Sequence, residues 1–167
     1  FPLVQVVVFM PIQCTIVPVT PYQQNCSIIK CETTGRGAIV DPGGDVERIL
    51  AAAKKMDAQL EKIILTHAHL DHCAASDVLR RQLEIPIEGP HREDAFWLEQ
   101  LPEACQMSGF PHADAFEPDR WLEQGDTVSV GDVQLQVFHC PGHTPGHVVF
   151  LYEPQKVAWV GDVLFQG

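Results

Sequence analysis

The sequence predicts an α+β fold. Segments rich in Ile and Val gather toward its two ends, helical periodicity occupies the middle, and several strand-like runs lead straight into loops bearing His and Asp. Its 167 residues suffice for one domain with a sizeable core.

Residues 1–10 read FPLVQVVVFM, apolar and without Lys or Arg. A signal peptide needs a basic start and a small-residue cleavage site, and a bilayer span needs about 20 apolar residues. Neither is expected. Met10 is the expected natural start, with 1–9 an upstream extension and the domain running over 10–167; a genuine first strand is the rival reading. Residues 12–17 alternate weakly between Pro-marked boundaries and read as a strand. Residues 26–31 and 37–40 follow as strands, the second ending in the turn Asp41-Pro42-Gly43-Gly44. Val46, Ile49, Leu50 and Ala53 have helical spacing over 45–56, with Asp45 as the expected cap.

A short apolar run at 62–65 feeds Thr66-His67-Ala68-His69-Leu70-Asp71-His72. Residues 73–83 read as a helix with Ala74, Val78 and Leu79 on one face, 85–87 as a strand, and 91–101 as a helix presenting Phe96, Trp97 and Leu101. Residues 102–118 carry Pro, Gly, Asp and His without clear period and read as a loop with one helical turn at most. The remainder is β-like. Residues 127–130 and 133–138 flank the hairpin signal Gly131-Asp132, and 147–152 and 156–160 form a second pair across 153–155.

Composition narrows the function classes. The chain is 46% hydrophobic and 20% charged, which is ordinary for a globular protein and argues against disorder. Its net charge of −11 (11 basic against 22 acidic residues) would be repelled by a phosphate backbone, so nucleic acid is not an expected partner. The six cysteines form no C-x-x-C pair and are too sparse for a disulfide scaffold. They read as reduced core residues in a cytoplasmic protein.

The chemistry concentrates in three segments. Residues 66–72 hold three His and one Asp right after an apolar strand. Imidazole and carboxylate are ligands that a borderline divalent metal prefers. Alternation along an extended loop points His67 and His69 the same way, so they can share one metal. Asp71 and His72 come where the chain turns into a helix and can reach a second. The next segment, Cys140-Pro141-Gly142-His143-Thr144-Pro145-Gly146-His147, presents His143 on a tight loop. The third is Gly161-Asp162, at the end of a strand. His147, opening a strand, reads as structural or as a hydrogen-bond partner of a ligand. His91, His112 and His139 are not expected to ligate, and Cys73 reads as helix packing.

These segments, with QNCSIIKCE at 24–32, IVDPGG at 39–44 and VGDVLF at 160–165, resemble the metallo-β-lactamase-fold family. Within it they are most similar to short, single-domain glyoxalase-II-like (hydroxyacylglutathione hydrolase-like) proteins. Together with the β-rich ends, the resemblance implies a four-layer αββα sandwich. It implies that His67, His69 and His143 hold a first metal, Asp71 and His72 a second, and that Asp162 bridges them. Zinc is the implied metal, with iron or manganese as substitutes. The family's last ligand, a His in a later PGHG-type loop, has no counterpart before Gly167. The resemblance therefore implies a chain cut short at its C-terminus, with its second half incomplete and its second site one ligand short.

The function implied is hydrolysis of a thioester or ester of acyl-glutathione type. A metal-bound hydroxide would attack the carbonyl, and Asp71 would orient the nucleophile and shuttle its proton. No membrane partner is expected, and a homodimer through an exposed edge at 156–160 is allowed for. Two alternatives stand beside this reading. One is a persulfide dioxygenase with a single iron on His67, His143 and Asp162. The other is a metal-binding fragment without catalysis.

Overall fold

A computed structural model describes residues 11–164; the sequence expectations for 1–9 and for the last three residues lie outside them. Strands β1 (Ile12–Val19), β2 (Gln24–Cys31), β3 (Arg36–Val40), β4 (Gln59–Ile64) and β5 (Ile87–Glu88) form one sheet in the order β1-β2-β3-β4-β5. Pairing is antiparallel from β1 to β3 and parallel from β3 to β5. Strands β6 (Thr127–Val130), β7 (Val133–His139), β8 (Val148–Tyr152) and β9 (Val157–Trp159) make a second, antiparallel sheet in chain order.

The doubled apolar residues of the first sheet explain how the layers stack. Side chains alternate across a strand, so Ile28, Ile39 and Ile63 face the helices while Ile29, Val40 and Ile64 face the second sheet. Helices α1 (Val46–Lys55), α2 (Leu70–Cys73), α3 (Ser76–Leu83), α4 (Ala95–Glu99) and α5 (Leu101–Ser108) all feed the first of these cores. The core between the sheets is closed by Val128, Leu135, Val137 and Phe150, and no residue of α1–α5 enters it. The described residues thus supply three layers, helix on sheet on sheet, of an incomplete αββα sandwich. On β7 the outward residues are polar or exposed (Gln134, Gln136, Phe138), and β6 and β9 are the edges of its sheet among the described residues. Among the described residues no helix is long and apolar enough to cross a membrane.

Several local expectations are corrected. Asp45 occupies the N-cap position of α1 but in the left-handed region (φ 53°), and its side chain caps nothing in the helix. Its Oδ2 instead accepts from Thr20 N at 2.7 Å, tying α1 to the end of β1. The helix expected over 73–83 begins at Leu70 and breaks between α2 and α3, leaving Val78 45% exposed while Leu79 is buried. The strand expected over 85–87 is only Ile87–Glu88. In place of one helix over 91–101 there is a 3₁₀ turn (Arg92–Asp94), then α4 and α5. Leu98 and Leu101 are buried there, and Phe96 is exposed. The segment read as loop opens with α5, because Pro102 falls in the first turn, where its missing N–H costs nothing.

Candidate metal centre

The site grows from the ends of two neighbouring parallel strands. Asp41 follows β3, and its N donates to Ile64 O, the last residue of β4, at 3.0 Å. Its buried carboxylate accepts from Thr66 N (2.8 Å) and from Thr66 Oγ1 (2.6 Å), fixing the first residue of the His-rich loop. Thr66 Oγ1 gives its proton to Asp41, so toward His67 Nδ1 at 3.0 Å it can only accept. This places the His67 proton on Nδ1 and the lone pair on Nε2. That Nε2 is buried and has no hydrogen-bond partner, an arrangement that costs stability unless a cation meets it.

Four side chains converge there. Ligand atoms of His67, His69, His143 and Asp162 all lie within 4.8 Å of one another. His69 Nδ1 stands 3.0 Å from His143 Nε2, and Asp162 Oδ2 stands 3.0 Å from His143 Nε2 and 3.5 Å from His67 Nε2. The other oxygen, Asp162 Oδ1, is 3.3 Å from His72 Nε2, which is also 3.7 Å from Asp71 Oδ2. All six residues singled out from the sequence are therefore brought to one place. Their donors are imidazole nitrogen and carboxylate oxygen, a set that fits a divalent metal.

Electrostatics follow from this crowding. Burial, reinforced by the neighbouring His67 and His143, lowers the pKa of His69 to about 4. Burial opposes a charge on His72, but its hydrogen bonds to Asp162 and Asp41 outweigh it and raise its pKa to about 10. Burial works against ionisation of Asp162, yet the imidazoles of His67 and His72 that face its two oxygens hold its pKa far below the usual carboxylate range. A divalent cation would take the place of the proton that His72 Nε2 otherwise shares with these carboxylates.

The remaining histidines sit around this group. His147 is fully buried, stacks on His67 with ring centroids 4.5 Å apart, and accepts from Asp162 N at 3.1 Å. It thus contacts two members of the cluster from behind. His91 and His139 stack face to face, 4.1 Å apart and 7° from parallel, near Glu93. Rings so stacked cannot aim both nitrogens at one ion, and His139 Nε2 is taken up by Pro145 O at 2.9 Å. His112 is exposed and pairs with Asp114.

Sequence reasoning missed Asp41 and Asp94. The first read as a turn residue and the second as helix interior, yet both are buried carboxylates that reach the ligand loops. The glycine of the same turn has a separate reason. A Cβ at Gly43 would collide with the Asp71 backbone, so only glycine lets the turn pack against the start of α2. A cleft of about 590 Å³ opens on the His72 side of the cluster, with Tyr22, Gln24, Asp71, His72, Trp159 and Asp162 among its walls.

Comparison with known proteins identifies the family and the fold. The Metallo-beta-lactamase superfamily pattern matches residues 19–167. The hydroxyacylglutathione hydrolase GloC of Haemophilus influenzae is 44% identical over 153 residues, which are 91% of this chain and 72% of that protein. Among solved structures, the BLEG-1 B3 metallo-beta-lactamase superposes with a TM-score of 0.82 at 34% identity, over 92% of this chain and 74% of that one. TTHA1623, solved in a di-iron-bound form, gives 0.81 at 32% identity over the same shares, 92% and 74%. With strands, ligand-bearing loops and relatives in agreement, this chain belongs to the metallo-beta-lactamase superfamily.

Proposed function

We propose that the chain is a metal-dependent hydrolase that cleaves a thioester or ester of acyl-glutathione type. The observation that supports this most is the Asp162 carboxylate, whose Oδ2 faces His67 and His143 while Oδ1 faces His72. A carboxylate so placed could serve two cation sites, one beside each oxygen. In this reading His67, His69, His143 and Asp162 hold one metal, and Asp71, His72 and Asp162 hold the other. The imidazole and carboxylate donors suit zinc, with iron or manganese as substitutes. Bound metals would supply Lewis acidity toward the acyl carbonyl and toward a water molecule.

The chain's own residues supply the rest. Thr66 and Asp41 orient His67 and His72 from behind, so both turn Nε2 toward Asp162. Asp71 stands partly buried in the cleft wall, where it can accept the proton of an attacking water and return it to the leaving thiolate. The glutathione-type substrate is favoured by the resemblance to GloC. Six cysteines without a disulfide fit a reducing, cytoplasmic setting.

The test is thiol release from a hydroxyacyl-glutathione by zinc-loaded chain, beside oxygen uptake with glutathione persulfide by iron-loaded chain. Metal-dependent thiol release that Asp71→Asn abolishes is the expected result. Oxygen uptake without thiol release would transfer the site to a mononuclear iron dioxygenase on His67, His143 and Asp162. Tight metal binding with neither reaction would leave a metal-binding protein without catalysis.

A further inference from the structure

The first metal site draws its imidazoles from two loops, 66–72 and 140–147, and something must hold those loops at a fixed separation. We propose that Asp94 is the positioning residue that does so, an inference that rests on the metal-site reading above. Asp94 is fully buried, 0% exposed, in the 3₁₀ turn ahead of α4. Its Oδ2 accepts from Ala68 N at 3.0 Å and from Thr144 Oγ1 at 2.9 Å, and its Oδ1 accepts from Gly146 N at 2.7 Å. Ala68 lies between His67 and His69, and Thr144 follows His143. One carboxylate therefore grips both ligand loops, each beside its imidazoles.

Two further contacts show how tight the joint is. A Cβ at Gly146 would come within 2.6 Å of Asp94 N and 2.7 Å of its Cγ, so only a bare backbone can press onto the carboxylate. Three residues beyond Asp94, α4 sets Trp97 and His69 edge to face, with centroids 4.9 Å apart and planes at 81°. The same short segment thus touches the site through a carboxylate and through an aromatic ring. Ligand groups must stay within about 0.5 Å of productive geometry. A link shared by both loops sets the distance between His69 Nδ1 and His143 Nε2 directly.

The isosteric change Asp94→Asn isolates this role. An amide keeps one acceptor oxygen and turns the other into an NH₂. Thr144 Oγ1 can rotate to accept from that NH₂, but a backbone N–H cannot. Whichever way the amide is turned, either Ala68 N or Gly146 N faces another donor, and one loop is released. Asp94→Glu does not repair this, because the added methylene has no room. Thr144→Val removes only the hydroxyl donor and leaves both backbone links in place.

The experiment is cobalt titration of the wild-type chain, Asp94→Asn and Thr144→Val. Affinity is measured by competition with a chromophoric chelator, coordination by the visible cobalt absorption, and folding by near-UV circular dichroism. Asp94→Asn is expected to weaken the first site by about 10–100-fold, the range for changes behind metal ligands, and to alter the cobalt spectrum. Thr144→Val should weaken it less, in the same direction. Wild-type affinity and spectrum in folded Asp94→Asn would overturn the proposal. Should Asp94→Asn not fold, Thr144→Val decides: a shifted spectrum with weakened binding supports the link, and wild-type behaviour refutes it. A wild-type chain that takes up no cobalt would overturn the metal-site reading itself, which shows before any variant is made.

Discussion

Asp41→Asn should weaken binding at the second metal site. In the native chain Asp41 Oδ2 accepts from His72 Nδ1 at 2.9 Å, so the Nδ1 proton is fixed and Nε2 is left to face Asp71 and Asp162. The asparagine oxygen can keep the bond from Thr66 N, which turns its NH₂ toward Thr66 Oγ1 and His72. The hydroxyl can rotate to accept; the ring can accept only by moving its proton to Nε2. The Gln24 amide, 3.2 Å from His72 Nδ1, can donate to it and favours the same tautomer. With Nε2 protonated, the second metal loses its imidazole. The three hydrogen bonds that the Asp41 carboxylate accepts, each worth about 1.5–3 kcal/mol while charge-assisted, give way to neutral ones. On metal the effect is a loss of about 10–100-fold at the second site, or about 1.4–2.7 kcal/mol. Metal content after equilibrium dialysis against graded free zinc reads this directly. A folded Asp41→Asn chain that holds two metals as tightly as wild type would show that the His72 tautomer is not set by Asp41.

Three further outcomes are expected. His91→Ala and His112→Ala should leave the metal content unchanged, because the former stacks with His139 and the latter pairs at the surface; loss of one full equivalent on either change would contradict the assignment. Phe150→Ala, at a fully buried position between the sheets, should cost about 3–5 kcal/mol in urea unfolding, and a cost under about 1 kcal/mol would mean that this core collapses around the gap. Self-association, where it occurs, should run through the edge at β9, where Val157 is 40% exposed. Val157→Lys should then shift the chain to monomer in size-exclusion chromatography, and an unchanged dimer would place the contact elsewhere.

What the sequence made legible was short-range. Alternation exposed the strands, and the doubled apolar pairs Ile28-Ile29 and Ile63-Ile64 are the mark of a sheet buried on both faces. The H-x-H-x-D-H run stood out because its residues are chemically rare neighbours. Asp41 and Asp94 did not, since each acts across 25 or more residues, and a single Asp beside Pro or within a charged run looks like ordinary surface. The segment 91–108 misled for a related reason. Tertiary packing buries Leu98 and Leu101 rather than Phe96, and the chain re-forms a helix after Gln100 despite Pro102.

The end of strand β4, Ile63 and Ile64, is buried on both faces and paired with a neighbouring strand on both edges, and it leads through Leu65 and Thr66 to His67. Such a strand opens to solvent only when the domain unfolds, so its Ile63 and Ile64 amides belong with the slowest in hydrogen exchange. The ligand loop therefore hangs from the least mobile part of the chain rather than from a rim that breathes. Metal can then leave and return without the scaffold coming apart. Demetallated protein should keep the exchange pattern of its β4 amides and recover its metal as fast as the ion can reach the cleft.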